Sequence, residues 1–414
     1  MKRILTLSLF LFSQIILAQT YKVGDAVSIE WKGKWYPGKI LEVQKDGYKI
    51  SYDGYGADWN ETVTSGRVKS AGAATTNRTT KTENTAINSG SFATIGEASF
   101  NGIETINDLD LGSNGKMLVG ANSHGKITVL NPDDLTLITE IKLFRGETSP
   151  VGTVAINNAC TYIAAADGNG KVYVYNKSTA GEWTEYATIE TYSMVNKLKF
   201  SPVSNDLCIA AAPKTDYRNV VVDIWNADEK KVKKTLLVST NANHSIGGIS
   251  FTTDGSKVAF AISNAKKGIE IYETATGKLV SRIDHKFDVV GLAFSPDGTT
   301  MAAGGTDKNI TLWNLATKKP VWTSEWHTGL DAYVFSVAFA PDGKTVAASG
   351  AGTGCKIRVY DASTGKLKSE LGKSNPGGNA VCYAANSKVV YTGLTVYGDF
   401  AKVPMVYMAA IPQE

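Results

Sequence analysis

Residues 285–321 read HKFDVVGLAFSPDGTTMAAGGTDKNITLWNLATKKPV, and this stretch decides how most of the chain folds. Val289, Leu292 and Phe294 set an apolar strand that stops at the turn Ser295-Pro296-Asp297-Gly298. Small residues from Met301 to Gly305 follow, and a second turn at Asp307 leads into ITLWN, ending at Trp313-Asn314. Alternation of apolar and polar residues at a period of two marks a half-buried strand. The connecting residues make turns by themselves, because Asp and Asn bond their own backbone and Gly accepts a positive φ. Strands joined this tightly leave no room for a long helix.

The last strand of this stretch serves as a ruler for the rest. Comparable strands end at Leu130-Asn131, Tyr175-Asn176, Trp225-Asn226, Tyr272-Glu273, Trp313-Asn314 and Tyr360-Asp361, with a seventh around Tyr407. Their spacing runs from 41 to 50 residues. The turn frame recurs as TTDG at 252–255, SPDG at 295–298 and APDG at 340–343, and TATG and ASTG follow the fourth and sixth marker strands. Seven units of a repeat in the mid-forties, each with four short strands, resemble a WD-repeat β-propeller. That resemblance implies an all-β, seven-bladed architecture over residues 92–414. It also implies a hydrogen-bonded tetrad of His285, Asp307, Trp313 and a strand Ser or Thr; the strand position here is Ala303, so the tetrad is incomplete. The sequence stops after the third strand of the seventh unit, and Phe92 to Ala98 (FATIGEA) is expected to supply the fourth and close the ring.

The first residues form a different pattern. Lys2 and Arg3 precede an apolar run from Ile4 to Leu17 and a small residue, Ala18, which reads as a signal peptide over residues 1–19. The mature protein is then expected to be soluble, without a membrane span, and periplasmic or secreted. Residues 71–91, AGAATTNRTTKTENTAINSGS, lack aromatics and cannot bury enough apolar surface to offset their ordering entropy, so they read as a flexible linker.

Between these segments, residues 20–70 alternate in short stretches. Val27, Ile29 and Trp31 share one strand face; Ile40, Leu41 and Val43 follow Pro37-Gly38; Tyr48, Ile50 and Tyr52 precede Asp53-Gly54. The stretch VGDAVSIEWKGKWYPGKILEVQKDGYKISYDGYGADWNETV is similar to a Tudor or agenet domain, through its opening VGD, its Trp, its Tyr-Pro and its Tyr-x-Gly-Tyr-Gly turn. The resemblance implies a small barrel with an open aromatic cage at Trp31, Tyr36, Tyr52 and Tyr55, flanked by Asp58 and Trp59. Where the family often places an asparagine after the second tyrosine, this chain has Ala57. Aromatic faces attract a poorly hydrated cation by about 0.5–2 kcal/mol per contact. A methylated or other cationic group on a protein or peptide partner suits such a cage, with Asp58 or Glu61 pairing any residual N–H. The competing reading is that the same rings fill the core of a small barrel.

Composition narrows the function. With 43 basic and 39 acidic residues and a formal net charge of +4, no basic stripe for a nucleic-acid backbone is implied. The four cysteines, Cys160, Cys208, Cys355 and Cys382, show no metal-ligand spacing; buried thiols or a bridge between neighbouring units are both compatible with it. The histidines His124, His244, His285 and His327 fall in separate units, and no nucleophile elbow or phosphate loop occurs. These readings point to a monomeric, non-enzymatic binding or scaffold protein with no cofactor and no metal. Trp326, His327, Tyr333 and Phe335, in a long departure between two units, are the candidate partner-binding loop on the propeller. The alternative is a propeller-based hydrolase or lyase with its site in the central channel. Carboxylates and histidines clustered at one mouth would favour the enzyme; small and apolar groups would favour binding.

Overall fold

In a computed structural model of the chain, the described residues are 21–31, 34–52, 60–70, 93–98, 105–143, 150–190, 194–212, 220–239, 245–263, 268–326, 333–351, 357–371, 378–394 and 406–411. The expected signal peptide and the segment 71–91 lie outside them. The chain divides into two compact units, Met1–Ala86 and Ile87–Glu414. Apart from one 3-10 turn at Ser65–Arg67, the described residues are strands and their connections.

The first unit is a five-stranded antiparallel sheet. Its strands are β1 (Ala26–Trp31), β2 (Lys34–Gln44), β3 (Gly47–Tyr52), β4 (Glu61–Val63) and β5 (Val68–Ser70), in the order β4-β3-β2-β1-β5. Val27, Ile29, Ile40, Ile50 and Val63 are buried together with Tyr48 and Tyr52, which gives the unit its own small core. Leu41 and Val43 are exposed, because the β2–β3 register slips between Ile40 and Glu42 and turns that end of β2 outward.

In the second unit the described residues form seven four-stranded antiparallel sheets. Their first strands, Ile106–Leu111, Val151–Ile156, Met194–Phe200, Ser245–Phe251, Val289–Phe294, Val334–Phe339 and Gly378–Tyr383, pack each against the next, and the last packs against the first. The arrangement is propeller-like. Every marker residue of the sequence ruler, from Leu130 to Tyr407, falls in the third strand of its sheet. The seventh sheet takes its outer strand from β6 (Ala93–Ala98), which runs antiparallel to Val406–Ala410 with Ala93 opposite Ala410 and Tyr407 opposite Glu97.

Two devices hold the sheets face to face. A hydrophobic cluster fills each gap between neighbours, including the gap between the seventh and first sheets, where Ala98, Ile106, Leu118, Tyr391, Val406 and Met408 meet. Second strands such as Tyr162–Asp167, almost all alanine in the middle and wholly buried, keep these gaps narrow. The other device is polar and lies nearer the axis. Thr153 Oγ1 accepts from Leu198 N (3.2 Å), Ser250 Oγ from Phe294 N (3.1 Å) and Ser336 Oγ from Val381 N (3.2 Å), while Asn379 Nδ2 donates to Ile106 O (2.9 Å). Each bond ties the first strand of one sheet to that of a neighbour.

All seven first strands also carry a register slip at the same place, between Ile106 and Asp108, Val151 and Thr153, Val195 and Lys197, Ile246 and Ile249, Val289 and Gly291, Val334 and Ser336, and Gly378 and Ala380. A bulge sharpens local twist and frees one residue from pairing. At Gly291 the backbone of the next sheet comes so close that a Cβ would sit 2.9 Å from Val337 N.

Candidate functional site

In the first unit, β1, β2 and β3 bring Trp31, Tyr36 and Tyr52 onto one face. Tyr36 pairs with Ile29, which sets it diagonal to Trp31, and Tyr52 pairs with Gly38, which sets it diagonal to Tyr36. The rings meet edge to face, Trp31–Tyr36 and Tyr36–Tyr52 each with centroids 6.1 Å apart and interplanar angles of 70° and 88°. Trp31 and Tyr36 are half-buried and Tyr52 is buried. Tyr55, Asp58 and Trp59 lie outside the described residues. Trp35, on the opposite face of β2 from Tyr36, is exposed and carries the Lys69 ammonium 3.9 Å above its ring.

A charged network fixes this face. Tyr52 Oη donates to Glu61 Oε1 (2.6 Å), Arg67 Nη2 donates to the same oxygen (3.0 Å), and Arg67 Nε and Nη2 donate to Glu30 O (2.8 and 2.6 Å). Burial, and then the Glu61 carboxylate, push the Tyr52 phenol up to about 12. Burial works to raise the Glu61 carboxyl, but the bonds from Tyr52 and Arg67 outweigh it and hold the group below its ordinary value. Glu61 Oε1 is thus engaged inside the unit by Tyr52 and Arg67. Arg67, which no local motif marks, does that pairing.

In the second unit the candidate loop divides between two environments. Trp326 is fully buried: its Nε1 donates to Ala351 O (3.0 Å), its N to Lys308 O (2.7 Å), and the Arg358 guanidinium lies 5.7 Å from its ring centroid. It is an interior residue of the gap between the fifth and sixth sheets, not a surface anchor. Tyr333 and Phe335 are half-buried; Tyr333 O accepts from Ala351 N, and Phe335 is the bulged residue of its strand and lines the central cavity. His327 lies outside the described residues.

The tetrad of the fifth sheet is partly assembled. The His285 and Trp313 rings stand edge to face with centroids 5.9 Å apart, and His285 Nε2 is 4.0 Å from Asp307 Oδ2. Trp313 Nε1 is buried and has no hydrogen-bond partner among the described residues. Ala303 supplies only a methyl group where the tetrad would have a hydroxyl.

A cavity of about 450 Å³ opens along the axis between the first strands. One wall is charged. Lys197 Nζ donates to Asp108 Oδ1 (2.7 Å) and Lys199 Nζ to Asp110 Oδ1 (2.6 Å), each pair joining the first and third sheets across the second. The second sheet presents only Thr153 and Ala155 at these positions, both buried, and so leaves room for the side chains to meet. Asp108 Oδ2 also accepts from Thr153 Oγ1 (2.7 Å) and Val154 N (3.3 Å), and Asp110 Oδ2 from Ile156 N (3.0 Å). The Lys199 ammonium is raised: burial lowers it, but the adjacent Asp110 carboxylate more than compensates. Facing this wall are Gly248, Gly291, Ser336, Ser250, Ala293 and Ala338, with Cys382 at the same level. Burial and the Asp110 charge push the Cys382 thiol well up, so it stays protonated at neutral pH. Cys160, Cys208 and Cys382 are all free thiols. Neither lysine stands in a recognisable local motif, and their partners lie 89 residues away, so spacing along the chain did not mark them.

Comparison with known proteins follows the same organisation. The family model "WD domain, G-beta repeat" matches residues 277–314 and 318–361. Each match begins with the outer strand of one sheet and ends with the third strand of the next, so the sequence repeat is offset by one strand from the structural sheet. An uncharacterized WD repeat-containing protein of Synechocystis sp. is 23% identical over 196 residues, 45% of this chain and 51% of that protein. The small ribosomal subunit protein RACK1 of Schizosaccharomyces pombe is 31% identical over 91 residues, 22% of this chain and 27% of that protein. The chain thus spans about half the length of the first relative and about a quarter of the second. With the sheets described above, these matches support a WD-repeat, β-propeller-like protein.

Proposed function

We propose that the chain is an exported, non-enzymatic binding protein in which a seven-bladed WD-type propeller and a Tudor-like barrel act as two tethered recognition modules for protein or peptide partners. The observation that carries this reading is the cyclic packing of the seven first strands, each against the next and the last against the first. Among the relatives, the protein from Schizosaccharomyces pombe is by its name a component of a ribosomal subunit, a precedent for a WD-repeat chain built into a larger assembly. Export rests on the pattern of residues 1–19.

The barrel module contributes three edge-to-face rings, Trp31, Tyr36 and Tyr52, to which Tyr55, Asp58 and Trp59 would add the remaining sides of a cage. Its target would be a protein or peptide partner carrying a methylated or other cationic group, poorly hydrated enough to enter a ring of π faces. Channel chemistry favours binding over hydrolysis or elimination: both axial carboxylates are tied to lysines and backbone N–H groups, and the nearby thiol is protonated.

Calorimetric titration of the mature chain with trimethyllysine and unmodified lysine peptides tests the cage. Tighter binding of the methylated peptide, lost in Trp31→Ala and Tyr55→Ala, is expected; indifference of both variants leaves only a packing role for the rings. Two-module recognition is tested by capture from envelope fractions with the full chain and with each module, since tethering raises the effective concentration of the second contact. Partners held equally well by one module alone would remove the bivalent reading.

A further inference from the structure

We infer that the axial cavity of the second unit is a binding site for a small dianionic metabolite of the short-chain dicarboxylate class, held by Lys197 and Lys199. The inference concerns the propeller-like unit alone and does not depend on the aromatic rings of the first unit.

Exposure is unequal within the two ion pairs. Asp108 and Asp110 side chains are 5% and 7% exposed, whereas those of Lys197 and Lys199 are 31% and 42% exposed. The carboxylates are turned into the protein, where backbone N–H groups and Thr153 complete their hydrogen bonding. All four side chains line the cavity, and the ammonium of each pair is its more exposed member. An ammonium has three N–H donors, and each lysine uses one on its aspartate, with no other partner among the described residues. Two donors per lysine are left to face the cavity.

Their geometry selects the ligand. Lys197 and Lys199 are alternate residues of one strand, so they project on the same side with Cα atoms roughly 6.5–7 Å apart. Two carboxylates separated by a short carbon chain match that spacing, and a single-charged anion engages only one lysine. Across the cavity the wall is neutral and small, with Gly248, Gly291, Ala293 and Ala338, and two serine hydroxyls already engaged in accepting backbone N–H bonds. That wall accommodates a carbon chain without offering a competing charge. A cavity of about 450 Å³ is of the size that small-ligand sites occupy. The paired aspartates keep the site near neutral overall and hold the lysine heads in place, so the ligand meets preorganised donors.

Calorimetry and thermal unfolding of the full mature chain with succinate, glutarate and, as a control, butyrate at matched ionic strength test the inference. One-to-one binding of a dicarboxylate with a rise in unfolding temperature is expected, weakening as salt increases and weaker by about tenfold or more for butyrate. Lys199→Gln should lower affinity by about tenfold or more. Because that variant leaves Asp110 without its counter-ion and could unfold the protein, Ala338→Leu provides an independent arm: it fills the cavity without touching either lysine and should abolish binding. No heat and no thermal shift with either dicarboxylate up to about 10 mM, equal binding of butyrate, or undiminished binding by Ala338→Leu would each overturn the assignment.

Discussion

Ala303→Ser should make the protein more stable, although it places a polar atom at a site only 2% exposed. Met301 pairs with Trp313 and Ala303 with Thr311, so residue 303 lies diagonal to Trp313 on one sheet face, and both pack in the cluster between the fourth and fifth sheets. The indole N–H there is buried and has no partner among the described residues. A buried, unsatisfied donor costs about 1–3 kcal/mol, and a typical internal hydrogen bond contributes about 0.5–1.5 kcal/mol net. A serine hydroxyl aimed at Nε1 therefore gains about 1 kcal/mol after its own desolvation. With an unfolding entropy of about 2.1 cal/mol/K per residue, a unit the size of Ile87–Glu414 gains roughly 1.5 °C per kcal/mol. Urea denaturation resolves this better than heating, and a double-mutant cycle isolates its cause. Trp313→Phe removes the N–H, so Ala303→Ser should stabilise the parent and not the Phe background, with a coupling of about 1 kcal/mol. Equal effects in both backgrounds, or a loss in the parent, refute the idea that the orphaned indole is the limiting defect.

Four further outcomes follow from other parts of the molecule. Lys318 has φ +57° in a turn whose counterparts are Gly277 and Gly365, so Lys318→Gly should raise stability by about 1 kcal/mol in urea; a decrease would show that the lysine side chain compensates its strain. Trp326→Ala should destabilise by about 3–5 kcal/mol, read as a lower unfolding midpoint and faster proteolysis; a fully stable variant would contradict the interior placement of that ring. Removal of residues 92–99 should lower the unfolding temperature of the second unit, since the seventh sheet loses an outer strand and Ala98 leaves its cluster; an unchanged temperature would remove β6 from the ring. In ultraviolet titration, the absorbance step absent from Tyr52→Phe should come near pH 12, not 10. The raised phenol means that its contribution to stability is complete below pH 10 and disappears as pH climbs towards 12, whereas Glu61, held low, contributes above its ordinary range and is lost on acidification.

The repeat was legible because its signals are local. A third strand that ends in an aromatic and a turn residue, such as Trp225-Asn226 or Tyr360-Asp361, sits within a few residues of its own turn, and pairing with the preceding strand needs no distant information. Trp31, Tyr36 and Tyr52 are grouped by the resemblance of residues 20–70 to a Tudor or agenet domain, itself carried by short local motifs. What the sequence concealed are contacts between elements far apart along the chain. The lysines of the third sheet look like ordinary polar positions of a strand until the first sheet brings aspartates to them over two small residues. Trp326 misled for the opposite reason: it follows an exposed strand in a stretch rich in polar residues, yet its first atoms already pair with Lys308 and carry the ring inward. Arg67 follows a surface turn and gives no sign that it would anchor Glu30 and Glu61.

The strand pairing that completes the seventh sheet has a mechanical meaning. Ala93 and Ala410 face each other at one end of the ladder, and the chain leaves both residues on that same side. Tension applied between the segment before Ala93 and the segment after Ala410 therefore peels the ladder apart pair by pair, and never loads all its hydrogen bonds in shear. Stretched through its ends, the circle should open at this seam under low force while the six other sheets, each a continuous run of chain, keep their own strands in register. The same seam joins residues more than three hundred positions apart, so in folding it is the contact with the longest loop to close, and the one whose formation is governed most by topology and least by local preference.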